Sequence, residues 1–419
     1  MDTNISSEVR AACKFLAVLV LLALIFALSG CTYHTGGIAS RVTMPPATIS
    51  LSLTHTAVIL PDGSLWTWGR NWSGQLGDGT FDHSEEPVRV GNDTDWMSVA
   101  ARGNNTFALR NDGSLWRMGT DDWSGQENLP AGVNIPHLVP GESRPISEIL
   151  AMTAIAAGQY HTVAIGEDGM LFAWGWNGTE ALGFRSHWHG RIASWYPGPI
   201  GTDMDWVNVA SASTHNIALK EDGTIWSWGD GDGQERNIRW GNHFTKVQIG
   251  TDTDWGSIAT GDWHSLALKH DGSMWAWRTL TVGTWNSATG TFEGQVHTAL
   301  PIQIGTDNDW AIISAGRYHS LAIKNDGTIW AWGGNGFGQL GDGTNIDRTE
   351  PVQIGSCADW ISVGACRMRT VAMKADGSVW SWGEGYAFGA SPREISLIGD
   401  GKSENSNTPV MIIPPLYRQ

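Results

Sequence analysis

One short pattern limits this chain more than any other feature: Asp-Gly, two further residues, then a large aromatic ring. It starts at Asp62, Asp112, Asp168, Asp222, Asp271, Asp326 and Asp376 and ends at Trp66, Trp116, Phe172, Trp226, Trp275, Trp330 and Trp380. The successive spacings are 50, 56, 54, 49, 55 and 50 residues. Seven copies at so regular a period define a repeat protein, in which each unit buries its faces against its neighbours.

Residues 310 to 355 show what a unit contains. Trp310 to Gly316 reads as a short apolar strand and His319 to Lys324 as an alternating one. Asn325-Asp326-Gly327 is a hairpin turn, because Asp-Gly supplies the positive φ that a tight β-turn requires. Thr328 to Gly333 is a third strand, with Trp330 and Trp332 on one face. A glycine-rich loop, Asn335 to Thr344, leads to a fourth strand at Pro351 to Gly355. No segment after residue 46 carries a helical period, and four strands in each of seven units make 28.

A four-stranded antiparallel sheet cannot cover both of its faces by itself. Stacking such sheets radially covers both and leaves only short edges. The expected fold is therefore all-β: a seven-bladed β-propeller of four-stranded antiparallel blades over residues 47–415, with many of the 25 Trp side chains between blades. A solenoid would need polar capping repeats, whereas both ends of this chain look like interior copies. The last strand, Thr408 to Ile413, copies the outer strand of residues 351–355.

The units resemble the regulator of chromosome condensation repeat over about residues 47 to 415. The resemblance is carried by W-x-x-I-A-x-G, H-S-x-A-I-K, D-G-T-I-W-x-W-G and G-Q-L-G-D-G-T. Gly74-Gln75-Leu76-Gly77 and Gly338-Gln339-Leu340-Gly341 match the last motif in full, Gly125-Gln126 and Gly233-Gln234 keep half of it, and residues 278–299 lose it. The resemblance implies a seven-bladed propeller that works as a binding platform. The nuclear exchange activity of the family's eukaryotic founder is not expected here, because this chain reads as exported and acidic.

Residues 1–30 read as a lipoprotein signal peptide. Arg10 and Lys14 precede an unbroken apolar run from Phe15 to Leu28, and Leu28-Ser29-Gly30-Cys31 resembles a bacterial lipobox. Cys31 is then the expected lipid-attachment site, residues 31–46 a flexible tether, and the bacterial cell envelope (outer membrane or cell surface) the expected location. The membrane is expected to be met through that lipid alone. Of the other cysteines, Cys357 and Cys366 flank a stretch of strand too long for a disulfide to bridge, so two buried thiols are expected. A formal charge of −16 argues against nucleic acid, which needs clustered Lys and Arg.

The repeat itself accounts for most of the polar residues that recur. His55, His161, His215, His264 and His319 occupy one repeat position, where Asn105 and Arg369 stand in the other two copies. Equivalent positions lie around a circle, so a structural hydrogen bond is expected and a metal ring is not. Asp93/Asp95, Asp203/Asp205, Asp252/Asp254 and Asp307/Asp309 precede a Trp in G-x-D-x-D-W. They are read as turn caps, since calcium needs six or more oxygens. Asp78 and Asp342 are read as turn chemistry too. No nucleophile elbow, zinc motif or phosphate loop occurs, so neither catalytic residues nor a cofactor are expected. A cell-wall or polysaccharide enzyme with a dispersed acid pair is the alternative.

Any binding function belongs where the copies differ. The residue before the repeated position is Asn104, Tyr160, Thr214, Trp263, Tyr318 and Met368 in six copies, with Asp262, Arg317 and Arg367 beside three of them. These are the candidate partner-binding residues. Variable aromatics at the mouths of the inner hairpins fit contact with a protein, or with a glycan, by a monomeric module. Inter-blade packing is the competing role. A second aromatic group, Trp72, Trp123, Phe337 and Phe388 in the glycine-rich loops with Trp188, Trp195 and Tyr196 in the longest insert, is read as packing.

Overall fold

The computed structural model describes residues 49–119, 151–177, 180–184, 193–229, 246–279, 284–286, 291–293, 297–386 and 395–415. Residues 1–48, with the signal segment, Cys31 and the tether, lie outside the described residues, as do Trp123, Trp188 and Phe388.

Seven antiparallel sheets follow one another along the chain as the seven blades of an all-β propeller. Blade six is representative: Trp310–Ala315, His319–Lys324, Ile329–Gly333 and Arg348–Gln353 pair in sequence order from the first strand to the outer one. Blade two shows three strands, Trp96–Arg102, Asn105–Arg110 and Leu115–Gly119, and the chain that follows is not described. Blade five carries an additional small hairpin, Thr284–Asn286 with Thr291–Glu293, that the sequence reading did not anticipate.

The repeated signature is a hydrogen-bonded unit rather than a turn alone. Gly327 has φ +81°, and a Cβ there would lie 2.5 Å from the Ala358 carbonyl oxygen. Asp326 Oδ1 accepts from the Thr328 amide at 2.9 Å and its hydroxyl at 2.7 Å. Thr328 Oγ1 in turn accepts from the Trp330 indole at 3.0 Å. Asp62, Ser64 and Trp66 repeat the relay, as do Asp222, Thr224 and Trp226. In blade three Met170 has no hydroxyl to offer, and the ring there is Phe172, which has no N–H to satisfy.

Packing runs from blade to blade. The second strand of each sheet is almost wholly buried, and each apolar cluster draws on two neighbours. Leu321, Ile323, Ile329 and Leu340 of blade six meet Trp360, Val363 and Trp382 of blade seven. The ring closes the same way: Ile49, Leu51, Val58 and Trp68 of blade one meet Val371, Met373, Val379 and Ile413 of blade seven. The first and last repeats each complete their own blade, and among the described residues no strand is exchanged at the closure.

Candidate functional site

Every second strand runs between two different ends of its blade. It starts beside the third strand's last residue (His319 faces Gly333) and finishes at the hairpin turn. We call these the loop end and the turn end.

The turn end repeats one cage. A bulge after Trp310 sets that residue opposite Lys324. The Lys324 ammonium lies 4.7 Å from the Trp310 ring and 4.9 Å from the Trp330 ring, two indoles that meet edge to face. Asp307 and Asp309 close over it at 2.6 and 3.0 Å. Burial opposes the charge, but the hydrogen bonds to Asp307 and Asp309 hold the ammonium above its ordinary pKa. Arg110, Lys220, Lys269 and Lys374 sit in equivalent cages. This corrects the reading of the paired aspartates as turn caps. They clasp a cation, and the capping is done by the Asp of each Asp-Gly turn. In blade seven Cys357 stands at the position of the first aspartate and hydrogen-bonds Lys374.

The loop end repeats a latch. His55 Nε2 lies 2.7 Å from Thr106 Oγ1 of the next blade, and His161 Nε2 lies 2.6 Å from Asn216 Oδ1. His215 reaches Thr260 at 2.8 Å, His264 reaches Ser320 at 2.7 Å and His319 reaches Thr370 at 3.0 Å. The structural reading of these histidines holds. The two apparent gaps are also filled: Arg102 Nη1 donates to Thr162 at 3.1 Å, and Arg369 Nη2 to the Ser52 carbonyl at 3.1 Å, closing the ring. Burial pushes His55 and His319 down to about 3 and His161 to about 4. Among the described residues, no group of three or more His, Cys, Asp or Glu could hold a metal ion.

The glycine-rich loops of the same end strengthen the joints. The Gln339 carbonyl accepts from Thr370 at 2.8 Å and from the Trp382 indole at 2.9 Å, both in the next blade. Ala181 and Leu397 receive the Trp228 and Trp68 indoles in the same way, each at 3.0 Å. Ile398-Gly399-Asp400-Gly401 is therefore the blade-seven form of the loop. Gly399 and Asp400 were its visible remnants in the sequence. Asp78 and Asp342 hold the turns that follow, as expected.

Above the latches lie the variable residues. Trp263 is 47% exposed and stacks on half-buried Tyr318 of the next blade, with centroids 6.4 Å apart and planes 8° apart. The Arg317 guanidinium lies 5.2 Å from the Tyr318 ring. Asp262 accepts a short hydrogen bond from Ser213 and pairs with Arg317 at 3.7 Å. The Arg317 amide donates to the Arg367 carbonyl at 3.0 Å, and Arg367, at φ +52°, pairs with buried Glu384 at 3.8 Å. Four blades are thus joined by one polar chain from Ser213 to Glu384. Burial raises the Glu384 carboxyl, while Arg367, Arg369 and Arg317 hold it down.

The other candidates have neighbours of their own. Tyr160 packs edge to face on Trp176 at 5.5 Å, Met368 accepts from Gln339, Thr214 is half-buried, and Asn104 is exposed. Trp176 ends the third strand of blade three and Glu384 directly follows that of blade seven, a repeat position with no signature of its own in the sequence. Their amides donate to the carbonyls of Tyr160 and Met368, so they share the pre-latch loops' surroundings. Two packing expectations need correction. Trp72 is 65% exposed and meets His83 edge to face and the Arg70 guanidinium within its own loop, not a neighbouring blade's core. Cys357 is exposed rather than buried, since it occupies a surface aspartate position; Cys366, pushed up to about 12 by burial, is likewise unbridged.

Comparison with known proteins gives the same picture. The regulator of chromosome condensation (RCC1) repeat matches residues 62–109, 168–219 and 326–373, and a second model of that repeat matches 152–179 and 310–339. The mitochondrial RCC1 domain-containing protein RUG3 of Arabidopsis thaliana is 28% identical over 193 residues, covering 44% of this chain and 42% of its own. The Ultraviolet-B receptor UVR8 of the same plant is 25% identical over 302 residues, covering 70% of this chain and 54% of its own. The chain thus spans about half the length of either relative. Among solved structures, Prp20p of Saccharomyces cerevisiae superposes with a TM-score of 0.64 at 22% identity, covering 77% of this chain and 81% of that one. Human WBSCR16 gives 0.66 at 20% identity, covering 84% and 94%.

Proposed function

The chain belongs to the regulator of chromosome condensation repeat family, and on that premise we propose that it is a non-catalytic protein-binding platform displayed on the bacterial cell envelope. The observation that carries this is the Trp263–Tyr318 pair: large rings, one of them half-exposed, at the end of the blades where the copies differ. Aromatic rings beside arginines are the side chains that dominate protein interfaces. Relatives support the protein class of partner. Prp20p is described with binding to Gsp1p and histones and in complex with Kap60, and related repeats occur in the human ubiquitin ligase HERC2. The cell-envelope location rests on Leu28 to Cys31, with lipid on Cys31 holding residues 47–415 at the surface as a monomer.

Affinity capture from envelope fractions with the chain from residue 32 onward tests the platform. Trp263→Ala with Tyr318→Ala abolishes capture and leaves thermal stability unchanged. Undiminished capture by that variant would overturn the reading. The anchor is tested separately: Cys31→Ser moves the protein from the membrane fraction to the soluble one and removes labelling by a radioactive fatty acid. Retained label would place the lipid elsewhere.

A further inference from the structure

The cations of the two ends are treated differently. At the turn end each is clasped by carboxylates between two indoles. At the loop end three guanidiniums, those of Arg317, Arg367 and Arg369, share buried Glu384 as counter-ion. Arg369 is 3% exposed, and its Nε and Nη1 donate to nothing among the described residues. Arg317 is 36% exposed, and its Nε stands 3.7 Å from Asp262, too far for a hydrogen bond. In a chain of net charge −16, Arg317 and Arg369 thus carry guanidinium donors that no acceptor among the described residues takes up. Arg317 adjoins the stacked Trp263–Tyr318 pair, because it precedes Tyr318 and lies against its ring.

We infer that the loop end of blades five to seven takes a protein segment presenting a side-chain carboxylate next to an aromatic ring. The carboxylate goes to Arg317 and Arg367, and the ring goes to Trp263 and Tyr318. The inference rests on the platform reading above and specifies its partner. Two guanidinium forks from adjacent blades match the lone pairs of a carboxylate, and charge-assisted bonds of this kind are the strong ones. A second ring extends an existing stack at little conformational cost. A sugar fits less well: its hydroxyls need acceptors around the aromatic face, and the carboxylate beside Trp263, Asp262, is already held by Ser213 and Arg317. Glu384 is the internal competitor for the same arginines, so its neutral isostere should bind the segment more tightly.

Fluorescence anisotropy on the propeller with two synthetic peptides, alternating Glu and Tyr or alternating Gln and Tyr, tests this. The Glu peptide is expected to bind about tenfold more tightly than the Gln peptide at low salt, and the gap should shrink as salt rises. Arg317→Gln with Arg367→Gln removes the gap, Arg89→Gln on an outer strand leaves it, and Glu384→Gln tightens the Glu peptide several-fold. Equal binding of the two peptides, binding of neither, or a gap that survives the double arginine variant overturns the carboxylate inference. Tighter binding of polygalacturonate than of the Glu peptide overturns it in favour of an acidic glycan. A dimer in sedimentation that the double arginine variant dissolves overturns it in favour of a second copy of the chain. The capture experiment with Trp263→Ala and Tyr318→Ala reads the platform independently. Capture lost there without peptide discrimination here overturns the carboxylate inference alone.

Discussion

At the turn end Lys324 lies over Trp310 and Trp330 between two carboxylates; three other blades repeat that arrangement, and blade seven keeps it with Cys357 in place of one carboxylate. At the loop end, about 20 Å along the same strand, the blades hold Thr54, Asn104, Tyr160, Thr214, Trp263, Tyr318 and Met368 at one position. Beneath them the latches are uniform again. The contrast separates two kinds of polar or aromatic residue. Those that recur are engaged in the same way in blade after blade, while those that differ meet a different neighbour in each copy: Thr54 donates to the Gly103 carbonyl, Tyr160 meets Trp176, Trp263 meets Tyr318 and Met368 accepts from Gln339. The repeated histidines resemble a metal ring only until their partners are seen: each faces a hydroxyl or an amide of the following blade.

The contrast can be tested, beginning with the change of largest effect. Trp382→Ala removes a fully buried indole and its bond to Gln339, and should cost about 3–5 kcal/mol in urea unfolding. A loss under 1 kcal/mol would mean that the inter-blade joints are not where stability resides. The latches predict acid sensitivity. His55, His161 and His319 are held down to about 3, 4 and 3 in the folded chain against 6.5 in the unfolded one. The unfolded chain therefore binds more protons below pH 6.5. Stability falls as pH drops from there towards 4, by up to about 1.4 kcal/mol per pH unit for each latch. His319→Gln should flatten that slope, and an unchanged slope would show that this histidine is already charged when folded.

Smaller effects are expected at the surfaces. Lys324→Met empties one cage and leaves Asp307 and Asp309 facing each other, for a loss of about 1 kcal/mol. The same substitution at Arg317, where the cation belongs to the rim, should cost less than half of that. If the two losses were equal, the distinction between caged and rim cations would fail. The smallest stability change belongs to Trp263→Ala with Tyr318→Ala, within about 0.5 kcal/mol, and it is the pair whose removal should most affect partner capture.

Much of this was legible in residue order. The Asp-Gly-Thr-x-Trp signature announced a hairpin, and the structure adds that Thr328 relays Asp326 to Trp330. The aspartate pairs were visible but misassigned. Their target, Lys324, lies 15 residues beyond Asp309, and only the first-strand bulge brings the two together. Arg102 and Glu384 are not legible as site residues because each is an exception at a repeat position: Arg102 stands where Gly316 stands in blade six, and Glu384 where Trp176 stands in blade three. Arg102 substitutes in space for a histidine that Asn105 does not provide, and Glu384 acquires its arginines from two other strand–loop segments.

What the sequence determined by itself is local and periodic: seven hairpin units, their turns, the alternation of their strands and therefore an all-β ring. A period of about fifty residues and an Asp-Gly turn are written in neighbouring positions, where sterics and hydrogen bonding act within a few residues. The tertiary structure decided what those units do to one another. It closed the ring by packing Ile49 and Trp68 against Val371 and Ile413 instead of exchanging a strand. It also set Arg317 and Arg367 around a glutamate from a third segment. Such outcomes depend on which residues a closed circle brings face to face, and a distance through space between blades is not a spacing along the chain.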